Sequence, residues 1–115
     1  MKQSIAIVRG TTLSVKIKVN NADGTPHELL EGEIIRFGVK KTPADNEEII
    51  SKELTSESGS NGEYTLVLLP DDTKEQPFGT YYYDVGLQSG VNYYNIVECS
   101  EFEIAYNITE VADNA

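Results

Sequence analysis

The sequence predicts an all-β protein, an antiparallel β-sandwich of about seven to eight short strands. Apolar and polar residues alternate in several segments, which is the pattern of half-buried strands. Turn-forming residues separate these segments at intervals of roughly 8–12 residues, as in sandwiches. No segment keeps a helical period. These observations favour two packed sheets over a helical bundle or an α/β fold.

The first half of the chain contains the clearest alternation. Leu13, Val15 and Ile17 share one face of a strand, and lysines lie on the other. Asp23-Gly24 then marks a turn. The predicted strands of this half are Ser4–Val8, Thr12–Val19, a short segment at His27–Leu30, Glu33–Lys41 and Glu47–Leu54. The broken alternation of the last one suits an edge strand protected by charge.

The second half predicts the strands that complete the sandwich. They are Glu63–Leu69, Thr80–Leu87, Tyr93–Cys99 and Glu101–Ile108. Ser89-Gly90 predicts a short hairpin turn, and Ser100 is expected to separate the last two strands. We therefore expect a single β-sandwich domain over residues 1–109 and a frayed polar tail over 110–115.

The charge balance and the single cysteine limit the kinds of partner. The chain carries 19 acidic against 9 basic residues, a net charge of −10, which repels phosphate backbones. We therefore expect no nucleic-acid partner.

One cysteine cannot form an intrachain disulfide. The sequence has neither an apolar run of roughly eighteen residues nor the features of a signal peptide, so no membrane span is expected.

Residues that could perform catalysis are few. His27 lies beside Pro26 at a turn and is expected to be exposed, far in sequence from Cys99. Cys99 alternates with Val97, which favours a small core or edge residue, as free cysteines usually are. No metal-binding, phosphate-binding or nucleophile motif is present. We predict no enzyme activity, no catalytic residue, no cofactor and no metal.

A tight acidic cluster, Asp71, Asp72 and Glu75, leaves one question open. Hard cations favour oxygen ligands from flexible loops. Turn formation and solubility explain the same residues without a metal. The sequence does not decide whether this loop binds a cation.

Tyrosines are concentrated in the last third of the chain. Alternation places Tyr82 and one of Tyr93 or Tyr94 on the outer face of the sheet. Exposed tyrosines can stack on sugars or anchor a protein interface, although they also pack along a sheet. We select Tyr82 and Tyr94 as the candidate interface.

The stretch Leu69–Leu87 joins a turn to a tyrosine-rich strand. Pro70-Asp71-Asp72-Thr73 has turn chemistry, and Gly79 stands where a positive φ is expected. The stretch resembles the tyrosine corner of immunoglobulin-like sandwiches, with Tyr81 as the corner and Tyr83 in the place of the core cysteine. We expect the Tyr81 hydroxyl to bond a backbone group between Leu69 and Thr73. The corner residues are Asp72, Thr73, Gly79, Tyr81 and Tyr83.

The order of motifs along the chain resembles one family. The motifs are Arg9-Gly10-Thr11-Thr12, Ile35-x-Phe37-x-Val39-Lys40, Pro70-Asp71-Asp72-Thr73, Gly79-x-Tyr81-x-Tyr83-Asp84-Val85-x-Leu87 and Phe102-x-Ile104. In this order they resemble the N-terminal domain of phage baseplate upper proteins, over about residues 3 to 109. Thr11-Thr12 departs from the family, where an acidic residue is common.

This resemblance implies an immunoglobulin-like sandwich that attaches tail or fibre proteins to a phage particle. It implies a location in the virion tail, after assembly in the cytoplasm of a bacterial host. The implied partners are other tail or baseplate proteins, or further copies of the chain. It implies no catalysis. The alternative is a carbohydrate-binding or adhesive sandwich that uses exposed tyrosines.

Overall fold

A computed structural model describes residues 3–106 of the protein. The strands are β1 (Ile5–Val8), β2 (Leu13–Lys18), β3 (Ile34–Lys40), β4 (Ile50–Leu54), β5 (Gly59–Ser60), β6 (Glu63–Leu68), β7 (Gly79–Ser89) and β8 (Asn92–Ala105). A short helix, α1 (Pro70–Thr73), and a 3-10 turn at Ser56–Ser58 lie in the connections. Residues 110–115, predicted as a polar tail, fall outside the described residues.

The strands form two sheets, which confirms the predicted all-β sandwich. The larger sheet has the order β1-β8-β7-β3-β4, and the smaller one the order β2-β6-β5. Strands β3, β7 and β8 therefore share one sheet, while β2 and β6 share the other. This is the division of strands found in immunoglobulin-like sandwiches.

One pair of strands departs from the predicted antiparallel arrangement. Strand β1 runs parallel to β8, with Ile5 opposite Phe102 and Val8 opposite Ala105. Parallel neighbours need a long connection rather than a hairpin. Here almost the whole domain separates β1 from β8. Alternation within each strand cannot reveal such a pairing.

The core lies between the two sheets and is built mainly from inward-facing apolar side chains. Three aromatic rings meet at its centre, with Phe37 5.4 Å from Tyr83 and 6.3 Å from Phe102 between centroids. Tilted and edge-on arrangements of this kind are favourable for aromatic pairs. The side chains of Tyr64, Leu66 and other residues of β6 complete the other side of the core.

Strand β7 lies between two neighbours and keeps a strict two-residue period. Tyr81, Tyr83, Val85 and Leu87 are buried, as the sequence predicts. The strand pairs with β3 without interruption, from Lys40 opposite Tyr82 to Ile34 opposite Gln88. Strand β4 lies at one edge of this sheet, which confirms its predicted edge position.

Strand β8 does not keep that period, because its pairing with β7 contains two register shifts. Ser100 stands opposite Tyr83, Val97 opposite Val85, and Tyr94 opposite Leu87. Each extra residue in a β-bulge turns the following side chains to the other face. The predicted break at Ser100 was therefore wrong, and one strand continues through it.

The register shifts also overturn the expectation for Cys99. Alternation with Val97 predicted a small core or edge residue, but the structure exposes the Cys99 side chain. Because a bulge lies between Val97 and Cys99, their side chains point to opposite faces of the sheet although they are two residues apart. A further error concerns residues 27–30, which form a loop rather than a strand.

Candidate functional site

The two tyrosines chosen as the interface lie on opposite faces of the larger sheet. Tyr82 projects outward from β7 and lines a shallow pocket with Pro43 and Cys99. Tyr94 stands opposite Leu87, whose side chain points into the core. Even so, Tyr94 is 55% exposed, because the inner face is open at this end. A single surface containing Tyr82 and Tyr94 was therefore a wrong expectation.

Tyr93, rather than Tyr94, lies on the outer face. Its phenol ring covers Gly86 of β7 so closely that a Cβ added at Gly86 would collide with it. Burial, and then the negative charge of Asp84, raise the pKa of Tyr93. Tyr93 as a whole remains 56% exposed. Tyr93 therefore rests on the sheet with part of its surface open to solvent.

An open groove between the two sheets has a volume of about 920 Å³. One side is β2, which pairs with β6 and, within residues 3–106, with no other strand. The other side is the first half of β8. Strand β1 pairs only with the second half, Phe102–Ala105. The groove therefore lies between two strand edges that lack a neighbour in the described part of the chain.

The groove has an apolar floor and a polar rim. Its floor contains six aliphatic side chains from both sheets: Val15, Ile17, Val85, Leu87, Ile96 and Val97. Ile17, Val85 and Leu87 belong to the buried core, whereas Val15, Ile96 and Val97 pack against it and remain partly accessible. Tyr94 also lines the groove. Two lysines of β2, Lys16 and Lys18, stand at the rim. A pocket of this composition favours a ligand with apolar groups and a few polar ones.

Three polar side chains close one end of the groove. His27 Nδ1 lies 2.8 Å from Asn21 Oδ1, and His27 Nε2 lies 2.9 Å from Glu33 Oε1. Burial favours the neutral carboxyl, but bonds from the Leu30 N–H and from His27 outweigh it and lower the pKa of Glu33. His27 is thus half-buried and bonded, not the exposed loop residue that the sequence predicts.

Gln3, which precedes β1, also lines the groove. The Gln3 N–H donates to Ser100 Oγ over 2.9 Å, and the Tyr83 hydroxyl donates to the Gln3 carbonyl. Burial raises the pKa of Tyr83. These bonds fix the first described residue against β8 where the bulged part of that strand begins.

The predicted corner has a buried tyrosine but a different acceptor. The Tyr81 ring is buried, and its hydroxyl donates to the Pro77 carbonyl over 2.7 Å. The expected acceptor lay between Leu69 and Thr73, so that part of the prediction was wrong. Gly79 has a φ of +146°, a conformation that side chains disfavour, where the loop turns into β7.

Two other corner residues connect α1 to its surroundings. Thr73 is fully buried, and its Oγ1 accepts a 2.8 Å hydrogen bond from the Gly10 N–H in the turn between β1 and β2. Asp72 accepts the Leu69 N–H over 2.8 Å and pairs with Lys52 at 2.9 Å. Both residues therefore hold loops in place.

Two residues of the acidic cluster near α1, Asp71 and Asp72, form ion pairs within the protein. Asp71 lies 3.4 Å from Lys74, and Asp72 pairs with Lys52 as described. No group of three or more His, Cys, Asp or Glu residues suited to a metal is found among residues 3–106. His27 and Cys99, the other residues considered for chemistry, line different pockets.

Sequence reasoning did not find the groove. Its lining comes from strands that are distant in the sequence. Its edges are β2 and the first half of β8, which each have a neighbour on one side only within residues 3–106. The paired lysines of β2 are the one local signal, since lysines commonly mark an exposed strand edge. Nothing in the spacing of Tyr94, Ile96 and Val97 indicates that all three line one cavity.

Comparisons with protein-family models and with curated proteins gave no match. Within the described part of the chain, no helix is long and apolar enough to cross a membrane.

Proposed function

We propose that this protein is a non-enzymatic structural module of a phage or prophage tail, which attaches baseplate or fibre proteins to the particle. The order of five sequence motifs resembles phage baseplate upper proteins and supports this role. The sandwich architecture agrees with the fold that the resemblance implies. The virion tail is then its location, and other tail proteins are its partners.

The open groove beside β2 is the structural observation that carries the proposal. An attachment module needs a surface on which another protein can settle. Here a strand edge that has no neighbour among residues 3–106 borders an apolar floor, so a partner could form backbone hydrogen bonds and bury apolar side chains at the same place. Such a surface gives the module a binding function without catalysis.

Induction of the phage or prophage from a strain that encodes this chain tests the role. Particles are purified by density gradient, probed with an antibody to the domain and imaged after immunogold labelling. We expect the protein in the particle fraction and the label at the tail. Particles that contain the major tail protein but lack this chain would overturn the proposal.

A second candidate, carbohydrate binding, is favoured by one observation. The Tyr93 ring lies against Gly86 and keeps part of its surface open, with Asp84 and Arg36 near enough to affect its titration. An aromatic ring held against a sheet offers a surface on which a sugar can stack. A glycan array tests this function, with Tyr93→Ser expected to abolish any signal and Tyr82→Ser to preserve it.

A further inference from the structure

We propose that the groove receives an extended segment of a partner protein, with alternating apolar and acidic residues, as an additional strand on β2. The inference names the kind of partner for the attachment role proposed above and rests on it. The segment would pair with the backbone of Leu13–Lys18 and lie over the apolar floor. Its experiments use the isolated domain, so their outcome is separate from the particle assay.

The backbone of β2 provides the first argument. All pairing of β2 within residues 3–106 is with β6, from Leu13 opposite Leu68 to Lys18 opposite Glu63. The opposite edge of β2 consequently presents N–H and carbonyl groups along about 20 Å. A strand edge of this kind pairs readily with an extended peptide, which gains main-chain hydrogen bonds.

The floor of the groove provides the second argument. Val15 of β2 and Val97 of β8 are only partly buried, although both contact the core. Side chains of a β-strand alternate between two faces, so every second side chain of an added strand would point at this floor. Apolar residues at those positions would remove aliphatic surface from water, which is favourable at roughly 25 cal/mol per Å². A volume of about 920 Å³ accommodates several such side chains.

The positive charge of Lys16 and Lys18 indicates which residues the partner segment has on its outward face. Lys16 and Lys18 alternate with the floor residues and are exposed at the edge of a protein whose net charge is −10. Lys16 already lies 3.5 Å from Glu63 on the neighbouring strand β6. Opposite charges on adjacent strands are favourable, so acidic residues on the outward positions of the added strand would pair with these lysines.

The same lysines argue against a second copy of the chain as the occupant. Pairing of two β2 edges would bring the lysines of both copies together on one face. Like charges placed across adjacent strands are destabilising. An extended partner segment with alternating apolar and acidic residues would pair with the edge of β2, cover the apolar floor and place negative charge beside Lys16 and Lys18.

A synthetic peptide tests the proposal directly. The probe is the capped peptide Thr-Val-Glu-Val-Glu-Val-Thr, and a second peptide has lysine in place of glutamate. A third has proline in place of the central valine, which removes a backbone donor and disfavours a paired strand. Titrations of the isotope-labelled domain followed by NMR measure affinity and location. We expect shifts and slower amide exchange at β2, with binding at least tenfold weaker for the lysine and proline peptides.

Charge reversal on the domain gives the matched test. The double variant Lys16→Glu, Lys18→Glu should have at least tenfold lower affinity for the acidic peptide. It should bind the lysine peptide more tightly than the original domain does. The control, Lys40→Glu with Lys41→Glu, changes the same charge away from the groove. Thermal melts of both variants establish that each is folded before titration.

Several results would overturn the proposal. These are no binding of the acidic peptide at millimolar concentration, shifts confined to residues away from β2 and β8, or equal binding of all three peptides. Self-association of the free domain with protection of β2 would show that a second copy is the occupant. Peptide binding at β2 by a protein that is absent from particles would support this site and overturn only the tail assignment.

Discussion

The Tyr81 hydroxyl donates to the Pro77 carbonyl, which closes the loop that leads from α1 into β7. Tyr81→Phe retains the buried ring and leaves that carbonyl without its partner. We expect the free energy of unfolding to fall by about 1–2 kcal/mol, since a partly buried acceptor loses its hydrogen bond. Urea denaturation of the purified variant measures the change.

Tyr82→Phe is the matched control, because Tyr82 is the next residue and faces the other side of the sheet. Its change in stability should stay within about 0.5 kcal/mol, as for most surface substitutions. An equal loss in both variants would show that the Tyr81 hydroxyl makes no special contribution.

Thr73 connects α1 to the first turn of the chain through its bond with Gly10. Thr73→Val has nearly the same shape but removes the acceptor of a buried N–H. We expect a loss of about 1–3 kcal/mol in the free energy of unfolding. Thr65→Val, the same substitution at an exposed position of β6, should change stability by less than about 0.5 kcal/mol.

The lowered pKa of Glu33 predicts that the free energy of unfolding depends on pH. Its pKa in the folded protein lies below the ordinary value of 4.5, so its contribution to stability is complete above that pH. The contribution is lost as pH falls through the folded pKa. The stability difference between the original protein and Glu33→Gln should therefore shrink from pH 6 to pH 3.

Urea melts at several pH values measure that difference. Glu31→Gln, an exposed residue of the same loop, provides the control and should show no such trend. A Glu33→Gln difference that stays constant with pH, or grows as the solution is acidified, would contradict the assignment.

Cys99 should react with thiol reagents while the protein is folded, because its side chain is exposed. We expect labelling by a disulfide reagent in native buffer at a rate within about tenfold of that in denaturant. Cys99→Ser should leave the free energy of unfolding within about 0.5 kcal/mol. A thiol that reacts only after denaturation would place Cys99 in the core and invalidate the register of β8.

Gly86 and Tyr93 should show energetic coupling across the outer face. Gly86→Ala forces the Tyr93 ring away from the sheet and should destabilise the protein. In a Tyr93→Ser background the same change should cost less, because alanine is otherwise preferred over glycine within a strand by roughly 0.5–1 kcal/mol. A double-mutant cycle measures the coupling. Equal costs of Gly86→Ala in both backgrounds would mean that the ring does not cover Gly86.

The orientation of β7 could be predicted from the sequence for a physical reason. The strand is central, has a partner on each side and contains no bulge, so Tyr81 and Tyr83 face inward by simple alternation. Strand β8 also alternates in part, but its pairing with β7 contains two register shifts. A bulge depends on how two strands fit together, so neither the face of Tyr94 nor the exposure of Cys99 follows from local sequence.

The hydrogen bond of Tyr81 and the existence of the groove also could not be predicted from local sequence. Burial of Tyr81 follows from its strand, whereas its bond to Pro77 depends on the path of the loop after Thr73. The alternation of Val15 and Ile17 predicts a half-buried strand but does not show which neighbours that strand has. The groove exists because β2 and the first half of β8 lack partners in the described chain, which is a property of the assembled sheets.

The parallel pairing of β1 and β8 has a mechanical consequence. A force that pulls Gln3 and Tyr106 apart would draw the two strands in opposite directions along their common axis, because they run the same way. Their ladder of hydrogen bonds would then be loaded all together in shear, whereas a hairpin opened from its end breaks one bond at a time. Single-molecule stretching should therefore record a higher rupture force along this axis than for a pull on Gly79 and Ile104, which opens the β7–β8 hairpin from its open end. The domain is thus suited to bear tension applied between its first and last described residues.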